Sequence, residues 1–299
     1  MSADLGAGFR CGPADERDGA FRAEVEVDPG SAWFTGHFPG DPVLPAIGQL
    51  DLLRRLQLRR GAPAHLAAVD SLRLAEPVRP GDRLVVEIGR PAPDGRSAVS
   101  IARGESEPVS RGTVRWQGAA SGGAGGGDGV RSGAGLDGPP RTGVAGSLAP
   151  GSTAGEDATP APPAADPARP SLRLPHAPPA RFAEEVLEAV ADRVVCRGAV
   201  PADHPSVAGG RAPALAAIEL AAQSAAGLGA GDSVPDAAYL VRLRSVRLPL
   251  PTLPAATPLT ARVRRDARHG PLTLLAFAVA LPGGRLVAEG TLGIYTPEG

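Results

Sequence analysis

The stretch from Phe34 to Asp51, FTGHFPGDPVLPAIGQLD, decides how this chain is read. Its first part is a loop, punctuated by Gly36, Pro39, Gly40 and Pro42. Pro45 then opens a helix that runs to about Arg59, where Gly61 and Pro63 end it. His37 stands eight residues before Pro45, and Asp51 six residues after it. A second stretch, Ala202 to Glu219 (ADHPSVAGGRAPALAAIE), follows the same plan: His204, then Pro213 nine residues later, then Glu219 six residues on. The one-residue difference falls in the loop, where an insertion costs least. Chemistry and topology are thus repeated within one chain.

The surroundings of the two stretches repeat as well. Before the first, Phe21 to Val27 alternates apolar and polar residues and predicts a strand. After its helix come four β-like runs, at Ala67–Leu74, Arg83–Ile88, Ala98–Arg103 and Gly112–Trp116, separated by turn signals such as RPGD and APDG. In the second half, runs at Phe182–Val190 and Arg193–Val200 precede a helix from Pro213 to about Gly227. Four further runs follow, near Tyr239–Leu248, Leu259–Arg265, Leu272–Leu281 and Arg285–Tyr295. Strand, helix and a four-stranded meander make an α+β plan in which a curved antiparallel sheet wraps the helix. Between the halves, residues 118–171 are Gly, Ala, Pro, Ser, Thr and Asp with few large apolar residues, and so predict a disordered linker. Its glycines are no phosphate loop, because they lack a GK[ST] ending. The expected organisation is a domain at 1–117, the linker at 118–171, and a domain at 172–299.

Composition narrows the function. The net charge is -1 and every one of the 31 basic residues is Arg, so nothing suggests an electrostatic grip on nucleic acid. Cys11 and Cys196 lie far apart with no CxxC spacing, which predicts neither a disulfide framework nor a zinc site. The first residues lack the apolar core of a signal peptide, and no apolar run approaches the ~20 residues that span a bilayer. A cytoplasmic location is the expectation.

The repeated histidine and carboxylate fit one reaction. Eliminating water from a 3-hydroxyacyl thioester needs a base for the proton alpha to the carbonyl, an acid for the departing hydroxyl, and donors for an enolate-like oxygen. A neutral loop histidine suits the base. A carboxyl on a buried helix, its pKa raised by desolvation, suits the acid. The free N–H groups of the first helical turn, at Ala46 and Ala214, suit the oxygen.

The residues also match a family. FTGHFPGDPVLPAIGQLD resembles the FabA/FabZ-type β-hydroxyacyl-ACP dehydratases, and in particular the thioester dehydratases of aryl-polyene pathways. LPHAPPARFAEEVLEAV and PALAAIELAAQSAA resemble the lead-in and helix of the partner protein in those pathways (an ApeI-like plus an ApeP-like half). The resemblance implies a double hot-dog, two helix-wrapped antiparallel sheets forming a pseudo-dimer. It implies His37 and Asp51, with His204 and Glu219, as catalytic residues. It carries Gly36, Phe38, Pro39, Gly40, Ala46, Ala214 and Gln223 with them as substrate-binding positions. Each site is expected to take its histidine from one hot dog and its acid from the other, pairing His37 with Glu219 and His204 with Asp51. The implied partner is an acyl carrier protein bearing the substrate on phosphopantetheine, alongside a ketosynthase and a ketoreductase, with no metal or other cofactor.

The sequence departs from the family in three places. Ala46 replaces the usual glycine, Arg55 replaces the glutamine that Gln223 supplies in the second half, and HPSVAGG replaces the His-Phe-Pro-Gly turn. Other readings stand beside these. Asp51 has Arg54 and Arg55 at i+3 and i+4, the spacing of an ion pair. Arg54, Arg55, Arg59 and Arg60 read as a solvated face or as a docking patch for the acidic carrier. His65 and His269 read as solvated, and His176 as packing. The competing functions are an acyl-ACP thioesterase and a catalytically silent scaffold that binds acyl carriers.

Overall fold

The computed structural model describes residues 3–104, 106–117, 172–229 and 238–297, so the expected linker at 118–171 lies outside the described residues. The first half holds β1 (Ala3–Gly6), β2 (Phe9–Arg17), β3 (Ala20–Val27), α1 (Ala46–Arg59), β4 (His65–Leu74), β5 (Arg83–Ile88), β6 (Arg96–Arg103) and β7 (Pro108–Gln117). The second holds β8 (Ala183–Val190), β9 (Arg193–Gly198), β10 (Arg211–Pro213), α2 (Ala217–Ser224), β11 (Tyr239–Arg247), β12 (Thr252–Pro254), β13 (Leu259–His269), β14 (Leu272–Ala280) and β15 (Leu286–Tyr295). The first half's strands run in the order β1-β2-β3-β5-β6-β7-β4 and the second's in the order β11-β15-β14-β13-β9-β8. Antiparallel pairing of β4 with β11, Leu72 opposite Leu243, joins them into one 13-stranded sheet. This is the double hot-dog that the resemblance implies, with the α+β plan of the repeated pattern in each half.

Each sheet buries one face, so its strands alternate. Phe21, Ala23, Val25 and Val27 of β3 point inward, while the residues between them are exposed or half-buried. What they cover is α1, whose Ile47, Leu50, Leu52 and Leu56 have no exposed surface. The second helix is built from smaller residues. Ala214, Ala216, Ala217 and Ala221 are buried, and α2 packs against α1 as well as against β13, β14 and β15. Short side chains allow that approach.

The structure departs from the expected elements at identifiable places. Pro45 is the N-cap of α1, in extended backbone, rather than its first helical residue. The second helix covers the expected span, but its ends, Ala214–Ala216 and Ala225–Gly229, tighten into 3₁₀ turns. β1 and β2 were not expected: only Phe9 and Cys11 of β2 are buried, so there is little alternation to read. Cys11 and Cys196 are both buried and form no disulfide. The solvated-face reading holds for Arg59, which is exposed, but is corrected for Arg54, Arg55 and Arg60, whose side chains keep only 19%, 15% and 8% of their exposure. His65 is half-buried and reaches the Leu248 carbonyl of the second half at 3.2 Å, whereas His269 is exposed. No helix of the described residues is long and apolar enough to cross a membrane.

Candidate active site

His37 sits where the loop before α1 turns inward. Gly36 (φ +76°), Phe38 (φ +59°) and Gly40 (φ +95°) all adopt left-handed backbone around it. The ring is buried, and its Nδ1 lies 2.8 Å from the Val43 carbonyl. A carbonyl only accepts, so Nδ1 carries the proton and Nε2 keeps its lone pair. Burial pushes the His37 pKa down to about 4, against the opposing charge of Glu219, so the ring is neutral at pH 7. It is thus a base with its free nitrogen fixed by the backbone.

The carboxylate that meets it comes from the other half. Atoms of His37, His176 and Glu219 lie within 4.8 Å of one another. His176 arrives on the segment preceding β8, which docks on the His37 loop where Ala177 N–H donates to the Gly36 carbonyl at 2.9 Å. Gly36 is required at this contact: a Cβ there would lie 2.0 Å from the Ala177 oxygen. Gly36→Ala is therefore expected to lift the segment off the loop. It should cost about 2 kcal/mol or more through left-handed strain and the clash, read as a lowered thermal midpoint together with lost activity.

Glu219 is buried on α2 and is held by donors. Gln223 Nε2 donates to its Oε1 at 3.0 Å, and His176 Nε2 lies 3.4 Å from the same oxygen. Desolvation pushes the Glu219 pKa up, but the hydrogen bond and charge of His176, with His37 and Gln223, outweigh it and hold it down at about 2. The raised carboxyl pKa expected from burial is thus corrected, because its neighbours are donors. Three such groups are a donor set of the kind that divalent metals use. Each already takes part in a hydrogen-bonded acid–base arrangement, and that is the chemistry the geometry describes.

These residues line a cavity of about 700 Å³ between the halves. Its walls include Val43, Leu44, Leu74, Leu174, Leu275 and Ile294, an apolar lining suited to an acyl chain. The start of α1 opens onto it: Pro45 and Ala46 line it, and α1 has no side-chain cap. Among the described residues the Ala46 N–H has no partner, whereas the Ala214 N–H donates to the Pro251 carbonyl at 3.2 Å. Phe38 and Gln223 also line the cavity; Gly36, Pro39, Gly40 and Ala214 do not.

Two lining residues were not read from the sequence as part of the site. His176 was read as packing, though its Pro-His-x-Pro-Pro setting marked it. Gln49 is 3% exposed and its Oε1 has no hydrogen-bond partner. A polar residue between Ile47 and Leu50 was the signal for it.

The second pair is built differently. His204 is buried between Trp33 and Phe182, whose rings stand edge-on at 5.0 and 4.8 Å. Its Nδ1 accepts the Ser206 backbone N–H at 3.3 Å and lies 2.8 Å from Ser206 Oγ. In the neutral ring, to which burial drives it with a pKa of about 4, the proton is on Nε2, the opposite tautomer to His37. Asp51 is fully buried, with Oδ1 taken by Arg54 Nε at 2.7 Å and Oδ2 by Arg55 Nε at 2.6 Å. Arg55 also donates to the carbonyls of Leu5 and Pro205. Neither His204 nor Asp51 lines the cavity.

A histidine loop from one helix-wrapping sheet, meeting a helical carboxylate from the other over an acyl-sized cavity, defines the double hot-dog dehydratase class. Residues 14–113 match the family model of the ApeI-like dehydratases and residues 169–299 that of the ApeP-like dehydratases, and the chain belongs to these families in tandem. The dehydratase domain of RzxB from Pseudomonas fluorescens superposes with a TM-score of 0.60 at 13% identity, covering 98% of this chain and 99% of that one. The dehydratase domain of PpsC from Mycobacterium tuberculosis, solved in complex with C12:1-CoA, gives 0.59 at 15% identity, over 96% and 98%. At such identities both speak for the fold alone. The 3-hydroxyacyl-[acyl-carrier-protein] dehydratase FabZ of Thermus thermophilus is 39% identical over 83 residues, 25% of this chain and 57% of FabZ. The chain thus spans little more than half of that relative.

Proposed function

We propose that the chain dehydrates 3-hydroxyacyl thioesters to trans-2-enoyl thioesters at a single site made from both halves. The observation that carries this is the meeting of His37 with Glu219 over the apolar cavity. His37 Nε2 takes the α-proton, and the Glu219 side supplies the proton for the departing hydroxyl. The Ala46 N–H, at the positive end of α1, faces the thioester oxygen. The substrate arrives on the phosphopantetheine of an acyl carrier protein, so the chain needs no cofactor of its own. In this reading the reaction belongs to fatty-acid, polyketide or aryl-polyene synthesis, with a ketoreductase supplying the 3-hydroxyacyl group and a ketosynthase extending the chain afterwards. The His204–Asp51 pair serves as structure: its tautomer, its arginines and its engaged Ala214 N–H all favour that reading.

The test is incubation with a panel of 3-hydroxyacyl-ACPs, followed by mass spectrometry. Loss of one water is expected. Release of the free acid would mark a thioesterase, and binding without turnover a scaffold.

Gln49 offers a second check. Its unpartnered oxygen accepts an N–H or O–H from the bound substrate in this reading. Gln49→Leu should therefore lower kcat/KM about tenfold while leaving stability unchanged or raising it by about 1 kcal/mol, because a buried acceptor without a partner is removed. Unchanged kinetics would reduce Gln49 to a gap filler.

A further inference from the structure

We propose that His176 stores the proton for the acid step, acting through Glu219, so that the His176–Glu219 pair rather than the carboxyl alone serves the departing hydroxyl. This rests on the dehydratase reading above.

The geometry around Glu219 carries it. Gln223 cannot flip its amide, because its Oε1 accepts the Phe182 and Ala183 backbone N–H groups at 2.8 and 3.1 Å. Its Nε2 donates to the Ala180 carbonyl at 2.7 Å, and so also points as a donor at Glu219 Oε1. Oε1 therefore faces two donors, Gln223 and His176. Only Oε2 remains to carry a proton, and an oxygen partner so stabilised as an anion is a poor sole reservoir for one. The proton belongs where a basic group can keep it.

His176 fits that role better than the other two histidines near the helices. His37 is locked by the Val43 carbonyl and His204 by the Ser206 N–H. The Nδ1 of His176 is buried without a hydrogen-bond partner among the described residues, so the polar contact of the ring is the one its Nε2 makes with Glu219. The ring's position is fixed between His37 at 5.2 Å and Phe38 at 5.1 Å.

The step balances. Before reaction His37 is neutral and the pair holds one proton. His37 Nε2 takes the α-proton, and the C–H electrons become the new carbon–carbon double bond. The pair's one proton passes from His176 to the Glu219 carboxyl; as the carbon–oxygen bond breaks, the carboxyl gives it to the hydroxyl, which leaves as water. His37 is then protonated, His176 neutral and Glu219 anionic. The proton on His37 then returns to the pair, and no other reactant is consumed.

His37 is the titratable group in contact with the pair, and His204, in the same half as Glu219, feels its charge. Farther along the cavity wall stand Asp41, Glu76 and Arg79 from the first half, with Arg173, Tyr239, Arg265, Arg268 and Tyr295 from the second. Among these side-chain types only histidine ordinarily changes charge between pH 5 and 8.

The experiment is kcat/KM against pH, from 5 to 9, for the full chain and for His176→Gln, which keeps a donor but cannot hold a proton. The expected result is an alkaline limb displaced to lower pH by more than one unit, with about a tenfold loss at pH 8 and full activity nearer on the acid side. An unchanged profile, or a uniform fall without a change of shape, would overturn the proposal and make His176 packing. If His176→Gln does not fold, His176→Asn carries the same readout. No turnover by the unaltered chain would instead sink the dehydratase reading itself.

Discussion

His37→Ala and Glu219→Gln should each lower kcat/KM by about 1,000-fold or more, while His204→Ala leaves it within about threefold. The first figure is the size of a lost general base or acid in a site that has no substitute nearby. His37 has none, because its free Nε2 depends on the Val43 carbonyl, His204 is held in the opposite tautomer, and His176 is engaged with Glu219. Crossed active sites of equal strength would give a different result: each of the four substitutions would then cost about half the turnover, and His37→Ala combined with Asp51→Ala would abolish it. The pH dependence follows from the same burial. The His37 pKa lies at about 4, so the base form persists down to that pH and the acid limb of kcat/KM should fall near 4 rather than near 6.5. The sign is that of a histidine buried neutral: protonation opposes the folded site, so function and local stability are lost as pH drops through that window. Water loss measured between pH 3.5 and 7 checks the limb, and a midpoint near 6.5 would show a solvated His37.

Much of this arrangement is legible in the sequence because it follows from one-faced burial. β3, β5 and α1 stand almost at their expected bounds, since Phe21 to Val27 alternates cleanly and Pro45, Gly61 and Pro63 bracket α1. Of the strands that escaped reading, β1 is the edge of the sheet and β2 lies beside it with mostly exposed residues, while β10 and β12 are three residues each. No period can announce elements so short or so polar. At the site, the two His-to-Pro-to-carboxylate spacings were visible as a repeat. What spacing could not show is that the segment around His176 folds back across the halves to reach Glu219, because that contact joins residues 43 apart through a docking on Gly36. Nor could it show the pKa direction of Glu219, which depends on those donors rather than on burial alone. The ion-pair spacing of Asp51 with Arg54 and Arg55 was legible as one of two readings, and burial made it an interior pair instead of a surface one.

Asp51→Leu is expected to lower stability by about 3 kcal/mol, a drop in thermal midpoint of roughly 5 °C for a chain of this size. Removing the carboxylate strands two guanidinium groups whose side chains keep only 19% and 15% of their exposure. Arg55 is held in place by the Leu5 and Pro205 carbonyls as well, so it cannot simply swing into water without releasing β1 and the loop after His204. An exposed pair would cost at most about 1 kcal/mol, so the size of the drop measures burial. The comparison with the other half explains why this position became an anchor. Gln223 and Arg55 stand at the same place one turn beyond the carboxylate, and an amide there leaves Glu219 open to the cavity while a guanidinium closes over Asp51. Replacing Asp51, Arg54 and Arg55 together with apolar residues should recover most of the loss, because no buried charge is left unpaired. Asp51→Asn separates this role from chemistry: a lowered midpoint with retained turnover by the folded protein marks an anchor, whereas an unchanged midpoint with halved turnover would restore Asp51 as an acid in a second working site.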